Sequence, residues 1–320
     1  MDKNKYTPLV SIVIPAFNEQ LNIKALYEKI IREFSLLHND YEIIFIDDGS
    51  LDSTYRIISE LCQINQKVKG VRLKKNYKKS VAYMTGFELA SGDIIITMDA
   101  DLQDEPKEIP NFINQLDDFD LVVGWKFYRN DPWHKTMPSK VFNYIVNILF
   151  RTQIHDNDCG FRAMKSGVAS ALNLYGDNYR FIPAIAANLG YTVSEIKVKH
   201  NKRMFGESKY GWSRMITGAL DIISIKMIID YEHKPLHFFG TLGIFLSSTG
   251  VLAELYVTYF RIFIGDSFSE HMPMMILGIL LILLGVQIIG IGLIAELTVA
   301  NKVSKKINIG KQRISSKINF

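Results

Sequence analysis

Residues 9–17 read LVSIVIPAF, residues 41–50 read YEIIFIDDGS, and residues 93–101 read DIIITMDAD. In each, an apolar, β-branched run ends abruptly in polar or acidic residues. A run with apolar side chains at both odd and even positions suits a strand covered on both faces. After Leu9–Phe17 come Asn18 and Glu19, then a helical pattern through Phe34. The second stretch repeats the scheme. It predicts a strand from Tyr41 to Ile46, a turn over Asp47–Ser50, and a helix capped by Ser50 or Asp52. Val68–Leu73, Asp93–Met98 and Asp120–Trp125 supply further strands. Strands alternating with helices predict an α/β domain with a mostly parallel sheet and right-handed crossovers. Ligands of such sheets bind beyond the carboxyl ends of the strands. Those ends carry Asn18, Glu19, Asp47, Asp48, Asp99 and Asp101, a crevice lined with carboxylates.

Asp99-Ala100-Asp101 sends two carboxylates from one strand end, and Gln103 can add a neutral oxygen. Such a set suits Mg²⁺ or Mn²⁺, which prefer hard oxygen ligands, and a metal there would offset charge growing on a departing diphosphate. A DxD triplet alone is common, and DDGS alone can serve as a turn and helix cap.

The rest of the 320 residues sets the context. Net charge is +4, with the excess largely in the tail and loops, which argues against nucleic acid as a partner. Cys62 and Cys159 form no CxxC pair, and the N-terminal MDKNKYTPLV lacks the apolar core of a signal peptide. A reduced, cytoplasmic soluble part is expected. Between Pro235 and Ala253 there is no Asp, Glu, Lys or Arg; Glu254 interrupts a run that continues through Phe260. A second uncharged run covers Met272–Ala295. Each is long enough to cross a bilayer as a helix. Lys226, His233 and Lys234 precede the first, and Lys302, Lys305, Lys306, Lys311, Arg313 and Lys317 follow the second. The positive-inside rule then predicts a hairpin with both termini in the cytoplasm. Glu254 and Glu296 fall near its opposite ends, as helix-end or subunit contacts or as functional groups. The expected organisation is a catalytic domain over 1–209, amphipathic juxtamembrane helices over 210–234, two transmembrane helices over 235–300, and a basic tail over 301–320. Within 210–234, Trp212, Met215, Ile216, Leu220 and Ile223 recur at helical spacing, fit either for the bilayer surface or for packing on the domain.

In order along the chain, SIVIPAFNE, IDDGS and MDADLQDEP closely resemble the signature of family 2 glycosyltransferases of the GT-A fold, and KKNYKKSVAYMTGFELASGD is similar to the helix before that family's metal strand. The resemblance covers roughly residues 8–210. The two C-terminal spans, with DCGFR (158–162) and RMFGESKYG (203–211), narrow it to enzymes that move sugars onto polyprenyl phosphates. These include bactoprenol glucosyltransferases, undecaprenyl-phosphate N-acetylglucosaminyltransferases and dolichol-phosphate mannose synthases. The resemblance implies that Pro15, Ala16, Glu19 and Asp48 hold the base and ribose, and that Asp99, Asp101 and Gln103 bind metal. It places Arg203, Ser208 and Lys209 on the donor diphosphate or lipid phosphate, and Lys126, Lys135, Ser139 and Arg162 on the acceptor phosphate. Lys126 and Lys135 stand where relatives often carry Arg, so a bidentate fork is replaced by a point charge. Asp158 is the candidate base or orienting group, with a structural tie to Arg162 or a loop amide as its alternative. The implied reaction is an inverting transfer from a nucleotide-sugar, UDP-linked by resemblance to the bacterial branch, to undecaprenyl phosphate. Glucose or N-acetylglucosamine is favoured, with GDP-mannose as the alternative donor. A processive polysaccharide synthase would carry QxxRW and more spans, and a non-catalytic scaffold would have lost the acidic cluster. A homo-oligomer and a flippase partner are both compatible with such a hairpin.

Overall fold

The computed structural model describes residues 7–127, 133–150, 152–199, 201, 221–222, 224–227, 229, 231, 234–267 and 269–315, and the side chains of these except 133–140, 142 and 300–315. The chain divides into two units, Met1–Ile225 and Lys226–Phe320.

The first unit is built on a seven-stranded sheet: β1 (Val10–Ala16), β2 (Tyr41–Asp47), β3 (Val68–Arg72), β4 (Ile94–Thr97), β5 (Leu121–Lys126), β6 (Arg162–Lys165) and β7 (Val193–Val198). Their order is β3-β2-β1-β4-β6-β5-β7. Only β6 runs against its neighbours; the other pairings are parallel. Helices α1 (Ile23–Phe34), α2 (Thr54–Ile64), α3 (Lys79–Leu89), α4 (Ile109–Gln115), α5 (Trp133–Phe150), α6 (Ser166–Ala171) and α7 (Ile182–Asn188) connect the strands. Val10, Ile12, Val13 and Ile14 are all fully buried, as a strand covered on both faces requires. Ile23, Leu26, Ile30 and Phe34 form the buried stripe of α1. Helix α2 starts later than expected: Ser53 occupies its N-cap, Asp52 Oδ1 accepts the Thr54 N–H at 2.9 Å, and Ser50 is committed to the β1 turn instead.

The second unit contains α8 (Pro235–Tyr259), a π-helical turn (Phe260–Ile264) closed by Gly265 at φ 90°, and α9 (Met272–Ser315). Residues 301–315, expected as tail, continue α9. Pro235–Ile264 and Met272–Val299 are long and apolar enough to cross a membrane, and their most apolar windows are only 17% and 11% buried. Core helices of a soluble protein would be mostly covered. The two helices approach through glycines seven apart: a Cβ on Gly243 would stand 2.6 Å from the Gly285 carbonyl, and one on Gly250 2.6 Å from that of Gly278. Glu296 Oε2 accepts the Leu236 N–H at 3.2 Å, satisfying one of the orphan donors in the first turn of α8. Glu254 packs against Gly278.

Candidate active site

The sheet opens between β1 and β4. Their ladder ends at Val13↔Thr97, with a last bond from Met98 N–H to the Val13 carbonyl, whereas β1 continues beside β2 to Ala16↔Asp47. Val13 bonds toward β4, so Pro15, two residues on, faces the same side. Its missing N–H falls where no partner strand remains, a position in which proline loses nothing. Strand order also reverses at β1, since β2 and β3 lie to one side and β4 to the other. Beyond the strand ends at such a switch point lies the usual ligand crevice of an α/β sheet.

The loop after β1 is tied to the loop after β2. Asn18, at φ 56°, donates its N–H to Ser50 Oγ at 2.9 Å and accepts the Leu51 N–H at 2.9 Å through its side chain. Glu19 donates its N–H to Thr54 Oγ1 at 2.8 Å, and its carboxylate takes Asn22 Nδ2 at 2.6 Å. Asp47 is fully buried, accepts the Ser50 N–H at 3.0 Å and meets Arg72 Nε at 3.3 Å; it builds the turn. Gly49 has φ 74°, and a Cβ there would stand 2.6 Å from the Lys75 backbone, so only glycine fits this turn. Asp48 accepts the Tyr77 N–H at 2.7 Å. Burial pushes its carboxyl upward, and neighbouring Asp47 adds to this against the Tyr77 and Lys78 amides.

At the end of β4, Asp99 is gripped from three directions. Lys79 Nζ, from the first residue of α3, lies 2.5 Å from Asp99 Oδ1. The Asp99 N–H donates to Asp104 Oδ2 at 3.3 Å. A Cβ on Gly160 would stand 2.6 Å from both Asp99 carboxylate oxygens, so the glycine of DCGFR is the floor on which that carboxylate rests. Burial works against ionisation of Asp99, but the charges of Lys79, Lys126 and Arg162 outweigh it and hold the carboxyl below its ordinary value. Burial opposes the charge of Lys79 as well, yet Asp99 and the Tyr83 and Tyr179 rings keep that amine protonated well above its usual range. Asp101 is half-buried and accepts the Gln103 N–H at 3.2 Å. Gln103 donates Nε2 to the Asn201 carbonyl at 3.3 Å. Asp104 is buried; burial first, then Asp99 and Asp101, push its carboxyl to about 6 against the pull of Lys126.

Lys126 closes β5; burial opposes its charge, but nearby Cys159, Asp104, Asp156 and Asp99 outweigh this and raise its pKa. Arg162, placed by resemblance on the acceptor phosphate, has no exposed surface. Its Nη2 donates to the Asn157 carbonyl at 2.9 Å, so it supports the floor beneath Asp99 and offers no face to a ligand. Asp158 meets Arg180 Nε at 3.5 Å, not Arg162. Arg180 in turn reaches the Tyr179 hydroxyl at 3.4 Å, and Lys79 lies 5.1 Å from the centre of the Tyr179 ring. Asp158 and Asp99 are therefore joined through Arg180, Tyr179 and Lys79. Arg203, Ser208 and Lys209 lie outside the described residues; Lys135 and Ser139 fall within α5, their side chains outside the description.

Three carboxylates stand within six residues, and burial first, then Asp99 and Asp101, push Asp104 toward protonation; a divalent cation would relieve that crowding of negative charge. All are hard oxygen donors, so these residues fit Mg²⁺ or Mn²⁺. Lys79 already holds one oxygen of Asp99, so metal ligation there uses the other oxygen or loosens the pair. Lys79, Asp104, Gly160 and Arg180 escaped the sequence reading, although Lys79, Asp104 and Gly160 stand inside quoted motifs.

Fold and crevice thus define a GT-A-type α/β enzyme. Residues 11–172 match Glycosyl transferase family 2, and the chain belongs to that family. It is 32% identical over 296 residues to the dodecaprenyl-phosphate galacturonate synthase of Rhizobium johnstonii, covering 90% of this chain and 87% of the relative. It is 31% identical over 290 residues to the undecaprenyl-phosphate 4-deoxy-4-formamido-L-arabinose transferase of Aeromonas hydrophila, covering 90% and 87%. Among solved structures, glucosyl-3-phosphoglycerate synthase of Mycobacterium tuberculosis, in complex with Mn²⁺, UDP and phosphoglyceric acid, superposes with a TM-score of 0.53 at 17% identity, over 69% of this chain and 78% of that one. Mannosyl-3-phosphoglycerate synthase of Rubrobacter xylanophilus gives 0.56 at 12% identity, over 69% and 74%.

Proposed function

We propose that the protein transfers a sugar, with inversion, from a UDP-sugar to undecaprenyl phosphate at the cytoplasmic face of a membrane. The observation that carries this is the pairing of two outward-apolar helices with a family 2 crevice, in a chain related along 90% of its length to polyprenyl-phosphate sugar transferases. A phosphate oxygen of the lipid attacks the anomeric carbon, the bond from that carbon to the donor diphosphate breaks, and UDP leaves with the bonding pair. The acceptor is already anionic near neutral pH, so positioning and electrostatics supply most of the acceleration. A divalent metal held by Asp99, Asp101 and Gln103 would supply positive charge to the leaving diphosphate. Pro15, Ala16, Glu19 and Asp48 border the nucleotide side. Lys126 offers a cation beside the acidic group, and Asp158, held by Arg180, orients the acceptor.

Glucose and N-acetylglucosamine are the first candidates for the sugar, and the relatives add galacturonate and 4-deoxy-4-formamido-L-arabinose to the panel. The purified protein, given undecaprenyl phosphate and each UDP-sugar with Mn²⁺, is expected to form one lipid-phosphate sugar, read by mass spectrometry of the lipid fraction. GDP-mannose serves as the competing donor. Polymer in place of a single-sugar lipid, or no lipid product from any donor, would overturn the reading.

A further inference from the structure

Three consecutive residues span the two sides of the crevice. Tyr77 donates its N–H to Asp48 at 2.7 Å. The Lys78 N–H supports the same carboxylate while donating to Asn76 Oδ1 at 3.0 Å. Lys79, the first residue of α3, then reaches Asp99 Oδ1 at 2.5 Å. Lys78, between them, has φ 72° and ψ 169°, a backbone region occupied almost exclusively by glycine. A lysine held there marks a turn that its surroundings over-determine, and such strain gathers at functional sites. The turn sets where Lys79 enters the crevice, beside the carboxylate that heads the acidic group.

The Lys79 amine and a divalent cation claim the same carboxylate. Both side chains of the pair keep some exposure, 22% for Lys79 and 28% for Asp99, so the pair opens to the crevice. An ammonium and a metal ion on one carboxylate stand a few ångströms apart and repel, with little screening in a half-buried site. One must give way, and the lysine is the one carried on a flexible stem. Charge sets where it goes. The donor's diphosphate is the anion that arrives with the metal, and an ammonium is a fitting point-charge partner for phosphate. The rings of Tyr83 and Tyr179, 5.5 and 5.1 Å from the amine, attract it as it leaves the carboxylate. We propose that Lys79 is a movable countercation, holding Asp99 until the donor binds and then passing to its diphosphate, so that metal and nucleotide enter together. This rests on the crevice being the nucleotide and metal site, as read above, and is independent of the acceptor.

The test uses the full chain in detergent and reads binding, without acceptor or turnover. Mn²⁺ binding is followed by electron paramagnetic resonance with and without UDP, and UDP binding by calorimetry with and without Mn²⁺. Lys79→Met removes the cation and keeps the stem, with Lys79→Gln standing in should that variant not fold; Lys79→Arg keeps the charge. Wild type is expected to bind Mn²⁺ weakly alone and far more tightly with UDP. Lys79→Met should bind Mn²⁺ alone about tenfold more tightly, with no matching gain when UDP is present, so the coupling between the two ligands falls by about tenfold. Linkage requires the same fall in the factor by which Mn²⁺ raises UDP affinity, which checks the result from the other side. Lys79→Arg should stay near wild type. Unchanged or weaker binding of Mn²⁺ alone by Lys79→Met overturns the proposal, and so does an equal gain with and without UDP. Equal tightening in Lys79→Arg overturns it too, since shape and not charge would then be the cause. Those outcomes leave the crevice reading standing. Absence of Mn²⁺ binding by wild type and variants alike, even with UDP, defeats that reading and the proposal with it.

Discussion

Two substitutions separate the chemical part of the crevice from its support. Asp101 is half-buried and accepts the Gln103 N–H, while the groups that grip Asp99 are Lys79, Asp104 and Gly160. Asp101→Ala should lower kcat by roughly 10²–10⁴-fold, the scale of losing metal-based charge stabilisation, with little change in melting temperature. Near-normal turnover of the variant in the presence of a chelator would rule out the metal role. Gly160→Ala acts from below. Its added methyl would stand 2.6 Å from both Asp99 carboxylate oxygens, so that half-exposed side chain must move off its place. Turnover should fall while the fold persists, and the Asp99–Lys79 pair should loosen, read as an altered metal dependence of kcat. Unchanged metal dependence with full activity would show that Asp99 needs no such floor. Motif residues announced the acidic cluster, but not what grips it. Lys79 lies twenty positions before Asp99, and Arg180 twenty-two after Asp158, so both pairings exist only once α3 and the turn before α7 have folded back onto the sheet.

At the scale of elements, five strands were legible, β1, β2, β4 and β5 as largely buried apolar runs and the half-exposed β3 as a short one. β1, β2 and β4 read as uninterrupted apolar runs because helices cover both sides. β6 is four residues, RAMK, with charged ends, and β7 reads VSEIKV with mostly half-buried positions; neither carries that signal. Asp120 compensates at the edge. Its carboxylate accepts the Thr192 N–H at 2.9 Å and hydroxyl at 2.8 Å, and meets Lys165 Nζ at 2.9 Å, tying β5 to the start of β7 and the end of β6. Those bonds hold its pKa at about 2, below the ordinary 3.8. Because the folded value is depressed, the stabilisation is present above about 4 and lost as pH falls through about 2. Asp120→Asn should cost about 1 kcal/mol at pH 7, discounted for exposure, and the gap to wild type should close between pH 4 and 2 in thermal melts. A constant gap would place the effect in packing. The hairpin offers a second test of element packing. Gly250→Ala drives a methyl to 2.6 Å from the Gly278 carbonyl, whereas Gly290→Ala meets nothing within 4 Å. Small residues allow close backbone approach in membranes, so the first should lower the melting temperature in detergent and the second should not. Equal effects would mean that α8 and α9 do not pack through their glycines.

For the whole molecule, the decisive question is which side of the membrane the enzyme faces. Nucleotide-sugars are cytoplasmic, so the proposed reaction requires the crevice there. The basic residues before α8 and toward the end of α9 favour both flanks inside. Each lysine dragged to a bilayer centre would cost about 2.5–3.5 kcal/mol on insertion scales, which keeps the flanks out of the core whichever way the hairpin points. The loop between the helices is short: Arg261 donates to the Asp266 carbonyl at 3.2 Å, and His271 meets the Asp266 carboxylate at 3.1 Å. With Cys62 replaced by serine and Cys159 buried, Ser269→Cys should react in intact cells with a membrane-impermeant maleimide. Ser304→Cys, in the basic C-terminal stretch, should react only after permeabilisation. The reverse pattern would put the crevice where no UDP-sugar is supplied and would defeat the proposed reaction outright. Protection of both positions would mean that the two helices do not cross as a hairpin.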